Sequence, residues 1–392
     1  YSGKPAAFLR AFKAGYFAVL YNFIVMGWVI NAMASVVSVM LNMDKWTAVW
    51  LCVIIAVVYA ILSGFWGVVI TDIVQFFIAM FGSIALAIIA LNHVGGMDTL
   101  LQKLSSLVGS DIIHENTLKF IPPIPDNSMD SLSFWESPFS KFLIFITVMW
   151  WSHHGTDGGG YIIQRMSSAK NEKHALLATL WFNLAHYALR VWPWIIVSVV
   201  SIVMFPVIPE SYSELGMKAG YPLVMNMLLG PGMKGILIVS FLAAFMSTID
   251  THLNWGASYI INDIYKRFFK PNESERHYVI VSKVITVILM ILAAFTALKM
   301  QSISKAWAFI FSMGAGIGLV LILRWFWWRI NAWSEITALS TSIVITILLE
   351  SLAWWQVSEK EGSYSLFGTE PVLFGVQIQV HHKLIIIVPI AI

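Results

Sequence analysis

Ala243-Ala244-Phe245-Met246-Ser247-Thr248-Ile249-Asp250 lies in the middle of an apolar run, Gly235–Ile261, long enough to cross a hydrocarbon core as a helix. Runs of about 20 apolar residues recur through almost the whole chain, a pattern that argues for membrane-spanning helices. Of 392 residues, 58% are apolar and 11% charged, against about a quarter charged in a typical soluble domain. The net charge is only +3, with no basic stripe that could follow phosphates. Soluble enzymes, nucleic-acid-binding modules and disordered proteins are thereby excluded. The single cysteine, Cys52, sits inside an apolar run, so neither a disulfide framework nor a cysteine metal cluster can form. The chain reads as an all-α, multi-span membrane protein whose surroundings are the lipid bilayer.

Nine full spans are expected: Gly15–Leu41, Thr47–Ser63, Val68–Leu91, Lys141–Ile163, Leu184–Phe205, Gly235–Ile261, Tyr278–Leu298, Ala306–Phe326 and Ile336–Trp355. A truncated tenth begins near Lys383, and Tyr1–Lys13 reads as a loop, so both ends look like those of a piece of a longer chain. Basic residues orient the spans. With the first residues on the cytoplasmic side of the cell membrane, every arginine of the connecting loops (Arg10, Arg165, Arg267, Arg276, Arg324 and Arg329) lies inside, and most acids lie outside. Two long outer segments, His93–Ser140 and Pro206–Lys234, read equally well as short lid helices and as plain surface loops.

Polar groups inside spans are expensive and therefore informative. Ala244, Ser247 and Thr248 are spaced i, i+3 and i+4, on one helix face. Two hydroxyls and a carbonyl there form a set of hard oxygens suited to a monovalent cation. Such residues also bond back to their own backbone or join helices. Trp150 to Arg165 holds four glycines in six residues, Gly155, Gly158, Gly159 and Gly160. They should unwind the helix, either to line a cavity or because an inner loop begins there. Arg190 precedes Trp192-Pro193-Trp194, where the proline should kink the span. It reads as one half of a structural ion pair, or as a cavity cation for an anionic or polyhydroxy solute. Asp72 reads as a helix cap or as an acid at the inner mouth that attracts a departing cation. His186 and His252 read as helix-joining residues rather than haem ligands.

Three stretches resemble the sodium:solute symporter family. Gly64-Phe65-Trp66-Gly67-Val68-Val69-Ile70-Thr71-Asp72-Ile73-Val74-Gln75 is similar to the entry of a core helix, Tyr161-Ile162-Ile163-Gln164-Arg165 to the close of the family's broken helix, and Ala244-Phe245-Met246-Ser247-Thr248 to its sodium-site helix. The resemblance implies a five-plus-five inverted-repeat fold lacking its first two core helices. Residues 15–91 would be the rest of the first repeat, 141–329 the second repeat and 336–392 peripheral helices, all within one transmembrane domain spanning residues 1–392. The loop charges give the same inversion, since Gly15–Leu41 and Gly235–Ile261 run in opposite senses.

The resemblance further implies sodium-coupled symport of a small organic solute by alternating access, with Na+ as the coupling ion and no enzymatic activity. The carbonyl of Ala244 and the hydroxyls of Ser247 and Thr248 would bind sodium, and Asp72 would lie on its exit path. Trp151, Gly159, Tyr161, Gln164 and Arg190 would line or gate the solute cavity. Where the sugar symporters carry an asparagine this chain has Gly159, and their basic residue falls within one position of Arg190. The solute class is thus a sugar, a carboxylate or an amino-acid-like molecule, with an anion favoured, and no protein partner is implied. The rival readings are proton coupling through Asp72 or Asp250, a sodium-dependent sensor or channel, and a membrane oxidoreductase using the histidines.

Overall fold

The computed structural model describes residues 2–62, 65–108, 119–124, 131–153, 155–156, 158–300, 302–359 and 370–392, with backbone alone for 61–62, 65–71, 131–133, 161 and 358–359. It is built almost wholly of helices. In chain order we label α1 Gly3–Leu41, α2 Lys45–Leu62, α3 Phe65–Val94, α4 Met97–Leu107 and α5, residues 138–152. Then follow α6 Gly160–Ser167, α7 Glu172–Met204, α8 Gly220–Leu228, α9 Pro231–Phe269 and α10 Glu275–Lys299. Last come α11 Ile303–Gly314, α12 Ile317–Leu323, α13 Ala332–Glu359 and α14 Val380–Ala391.

Six helices among the described residues are long and apolar enough to cross a membrane, and the α11–α12 pair, bent by 48°, makes a seventh. The protein is a multi-pass membrane protein. Reaching nine spans requires counting the shorter α2 and the interrupted α5–α6 as crossings. Two helix starts differ most from the sequence reading. Residues Gly3–Lys13 are helical, not a loop: Pro5 falls in the first turn, where a missing N–H is harmless, and Leu9 is buried against Ala332 and Ile336. The third basic residue there, Lys13, turns inward to Glu335, which is itself fully buried and is also met by Arg324 at 3.4 Å. Similarly α7 begins at Glu172, twelve residues before the expected start, because the Asn171 side chain caps it by accepting from the His174 N–H at 3.1 Å. Short helical segments do form in both long outer stretches, as α4, as Ser131–Glu136, as the 3-10 segment Glu210–Ala219 and as α8.

Lipid is as apolar as leucine, so helices in a membrane associate through close packing and interhelical hydrogen bonds. Both are visible. α10 lies along α1 and α2, and α9 and α7 lie along α3. Met26, Ile30, Cys52, Ile249, Leu253 and Met290 form the centre of the largest buried cluster. A Cβ on Gly27 would come within 2.8 Å of the Thr296 methyl, so the glycine sets how closely α1 and α10 approach. At the end of the same contact the Asn31 amide donates to the carbonyls of Ala297 and Met300 at 2.9 and 3.0 Å. Those are carbonyls that the end of α10 leaves without intrahelical partners. The Asn31 Oδ1 in turn accepts from Lys218 at 3.2 Å, tying the Glu210–Ala219 segment to the bundle. Burial, and then the nearby Lys45 ammonium, holds the Lys218 pKa below the usual lysine range.

Gly27→Ala should lower the thermal unfolding midpoint of the purified protein, with a destabilisation of about 1–3 kcal/mol from overpacking. Gly232→Ala, where an added Cβ meets nothing within 4 Å, should be neutral or slightly stabilising.

Candidate ion and solute site

The glycine-rich stretch does unwind. α5 ends at Ser152, His153 is extended (φ −89°, ψ 167°), and Gly158 and Gly159 have φ of +98° and +72°, which side chains rarely tolerate. The helix resumes at Gly160. Backbone groups released by the break are partly re-satisfied locally. The Thr156 hydroxyl lies 2.8 Å from the Trp151 carbonyl and 2.6 Å from that of His153, and the Gly155 N–H donates to His153 Nδ1 at 2.9 Å. The two ends are held from opposite sides. A Cβ on Gly318 of α12 would overlap the Trp151 carbonyl, and one on Gly160 would come within 2.7 Å of Trp255 on α9.

Beside the second stub, three helices bring oxygens and a guanidinium together. On α9, Thr248 donates to the Ala244 carbonyl at 2.9 Å, and Ser247 donates outward to Oδ1 of Asp72 on α3. Arg165 of α6 lies 4.0 Å from Asp72 Oδ2 and donates to Thr251 Oγ1 at 2.9 Å. The Asp72 and Arg165 side chains are 29% and 34% exposed, so the cluster is not sealed inside the bundle. The structural reading of the hydroxyls thus holds in both of its forms: Thr248 bonds back to its own helix, and Ser247 joins α9 to α3. The capping reading of Asp72 is overturned, because α3 starts at Phe65 and places Asp72 well inside the helix. One turn further on, Gln75 Oε1 is buried with no hydrogen-bond partner among the described residues.

Carboxylate, hydroxyl and carbonyl oxygens are hard donors, and one carboxylate partly balanced by Arg165 makes a weakly charged set from which a monovalent ion can leave. Sequence reasoning missed Thr251 and gave Arg165 no partner. Thr251 was within reach, since it stands four residues after Ser247 on the same stripe. The pairing of Arg165 with Asp72 was not, because it joins residues from distant parts of the chain.

The remaining predicted residues are dispersed. Trp151 is partly buried before the break and donates its indole N–H to the Thr147 carbonyl at 2.6 Å, whereas Gly159 lies after the break. Gln164 is exposed on α6, and the Tyr161 side chain, the expected gate, lies outside the described residues. Arg190 is exposed on α7, its guanidinium 3.5 Å from His186 Nε2. His252 is buried between α9 and α1, its ring Nδ1 2.7 Å from Asn22 Oδ1 while the Asn22 amide donates to the His252 carbonyl at 2.9 Å.

A model of the sodium:solute symporter family matches residues 12–344. The chain belongs to that family. It is similar to the high-affinity proline transporter PutP of Bacillus subtilis (strain 168), 26% identical over 360 residues, covering 88% of this chain and 68% of that one. The sodium/mannose cotransporter SLC5A10 of Bos taurus is 25% identical over 325 residues, 76% of this chain and 52% of the cotransporter. The chain thus spans between about half and two thirds of the length of such relatives, which are transporters rather than enzymes. Among solved structures it resembles a Na+-coupled sialic acid symporter in a substrate-bound outward-open state, with a TM-score of 0.61 at 17% identity, over 98% of this chain and 74% of that one. This likeness shows a shared symporter fold.

Asp72→Asn should abolish any stabilisation by a monovalent cation. Arg165→Gln removes the positive charge competing for the carboxylate and should tighten cation binding severalfold. Thermal unfolding across a sodium titration, with potassium or choline as control, checks both.

Proposed function

We propose that this protein is a sodium-coupled symporter of a small polar organic solute, working by alternating access in a cell membrane. The observation that carries the reading is the contact of Ser247 with Asp72 beside the Arg165 guanidinium, at the foot of an interrupted helix. The family membership supports sodium as the coupling ion, a cargo carried through the protein rather than a resident cofactor. Ala244, Ser247 and Thr248 provide its oxygens, and Asp72 provides the charge on its way out.

The geometry supplies a means of coupling. Arg165 belongs to α6, which Gly158 and Gly159 free from α5, while Asp72 and Ser247 belong to the long helices α3 and α9. A cation on the oxygen set competes with the guanidinium for the same carboxylate. Occupancy therefore biases where α6 rests, and an ion shifts a conformational equilibrium only through such a difference between states. Inward passage of one charge adds about 2.3 kcal/mol per 100 mV of membrane potential. Residues 15–91 and 141–329 act as the two inverted halves, with the chain's first residues cytoplasmic. Trp151, Gly159, Tyr161, Gln164 and Arg190 serve the solute, and the exposed Arg190 guanidinium favours a carboxylate-bearing one.

Sodium-stimulated uptake into proteoliposomes tests the assignment. Ser247→Ala combined with Thr248→Ala should remove most sodium stimulation while leaving the protein folded. Full stimulation in that variant, or uptake that follows a proton gradient instead, overturns the reading.

A further inference from the structure

The turn between α12 and α13 exposes aromatic rings in a way that packing does not require. Trp325, Phe326 and Trp328 are 74%, 84% and 85% exposed. Trp333, at the start of α13, is also exposed, with the Phe8 ring of α1 6.3 Å away. The turn is folded rather than trailing. The Leu323 carbonyl accepts from the N–H groups of Phe326 and Trp327 at 2.9 and 2.7 Å, and that of Trp327 accepts from Ile330 at 3.2 Å. Arg324 and Arg329 bracket it, their guanidinium carbons 5.7 and 5.2 Å from the Trp325 and Trp328 ring centroids.

Residues 323–333 contain these two arginines and no acid. The acid that faces the turn, Glu335, is buried and already engaged by Lys13 and Arg324. Arg329 makes no ion pair among the described residues. The depth of the turn is set from both sides, because the bent α11–α12 span ends at Leu323 and the span of α13 begins at Ala332. A segment pinned between two spans lies at the edge of the hydrocarbon, where indoles favour the interface and arginines reach headgroup phosphates. A soluble partner would have to enter the headgroup layer to touch it.

We propose that the Arg324–Trp333 turn is a seat for an anionic phospholipid, with the indoles among the upper acyl carbons and Arg329, supported by Arg324, on the headgroup phosphate. Because Arg324 shares Glu335 with Lys13, a lipid held there also braces the first helix against α13. The proposal stands apart from sodium coupling and survives if that reading fails.

The test is thermal unfolding of the purified full chain in neutral detergent, titrated with dioctanoyl phosphatidylglycerol, dioctanoyl phosphatidylcholine or inorganic phosphate. Phosphatidylglycerol should raise the midpoint saturably, and the other two should not. Arg329→Gln should raise the half-saturating concentration about fivefold, Arg329→Lys should restore much of the loss, and high salt should weaken the response. Both variants alter an exposed side chain, so circular dichroism should be unchanged. Equal stabilisation by phosphatidylcholine, a response to phosphate alone, or an unaltered response in Arg329→Gln overturns the proposal.

Discussion

A backbone group inside a bilayer has no water to fall back on, so a helix can be interrupted there only where other groups take over its hydrogen bonds. The break between α5 and α6 meets that constraint with few parts. Thr156 caps the Trp151 and His153 carbonyls, the His153 ring receives the Gly155 N–H, and Gly158 and Gly159 turn the chain through positive φ. Gly318 and Gly160 remove the Cβ atoms that would hold the flanking helices away from the two ends. With the interruption secured in this way, α6 becomes a short element whose Arg165 can lean on its neighbours, and the polar cluster follows from it.

That cluster joins three parts of the chain through one carboxylate. Asp72 receives the Ser247 hydroxyl on one oxygen and faces Arg165 on the other, while Thr251 holds the same guanidinium from below. Other interhelical polar links are more fully buried, as at Asn22–His252 and Asn31–Met300. Those interior links fix the α1–α9–α10 core. The Asp72 cluster is partly exposed, and its partners can be exchanged without burying a bare charge.

Much of this was legible in the residues. Long apolar runs gave the class, the glycines from Gly155 to Gly160 marked the break, and Ala244, Ser247 and Thr248 marked an oxygen-bearing face because helical periodicity projects them together. What periodicity could not supply was everything set by long-range contact. Lys4, Arg10 and Lys13 disguised an amphipathic first helix whose Lys13 ends on a buried acid more than three hundred residues away. The partner of Asp72 was invisible for the same reason. Extra residues in the turns at Tyr16–Tyr21, Leu184–Leu189 and Ile260–Phe269, each a π-helical widening, also shift the facing of the residues that follow, so a strict 3.6-residue count drifts along α1, α7 and α9.

Cys52, the sole thiol in the sequence, is closed within the core between α1, α2, α9 and α10 at 1% exposure. A bulky maleimide cannot reach it while the bundle stays folded. A cysteine introduced on exposed Gln164 would therefore be the only one to take a fluorescent or spin label, with no background to engineer away. The chain thus comes ready for single-molecule or electron-resonance recording of how α6 moves when the ion composition is changed.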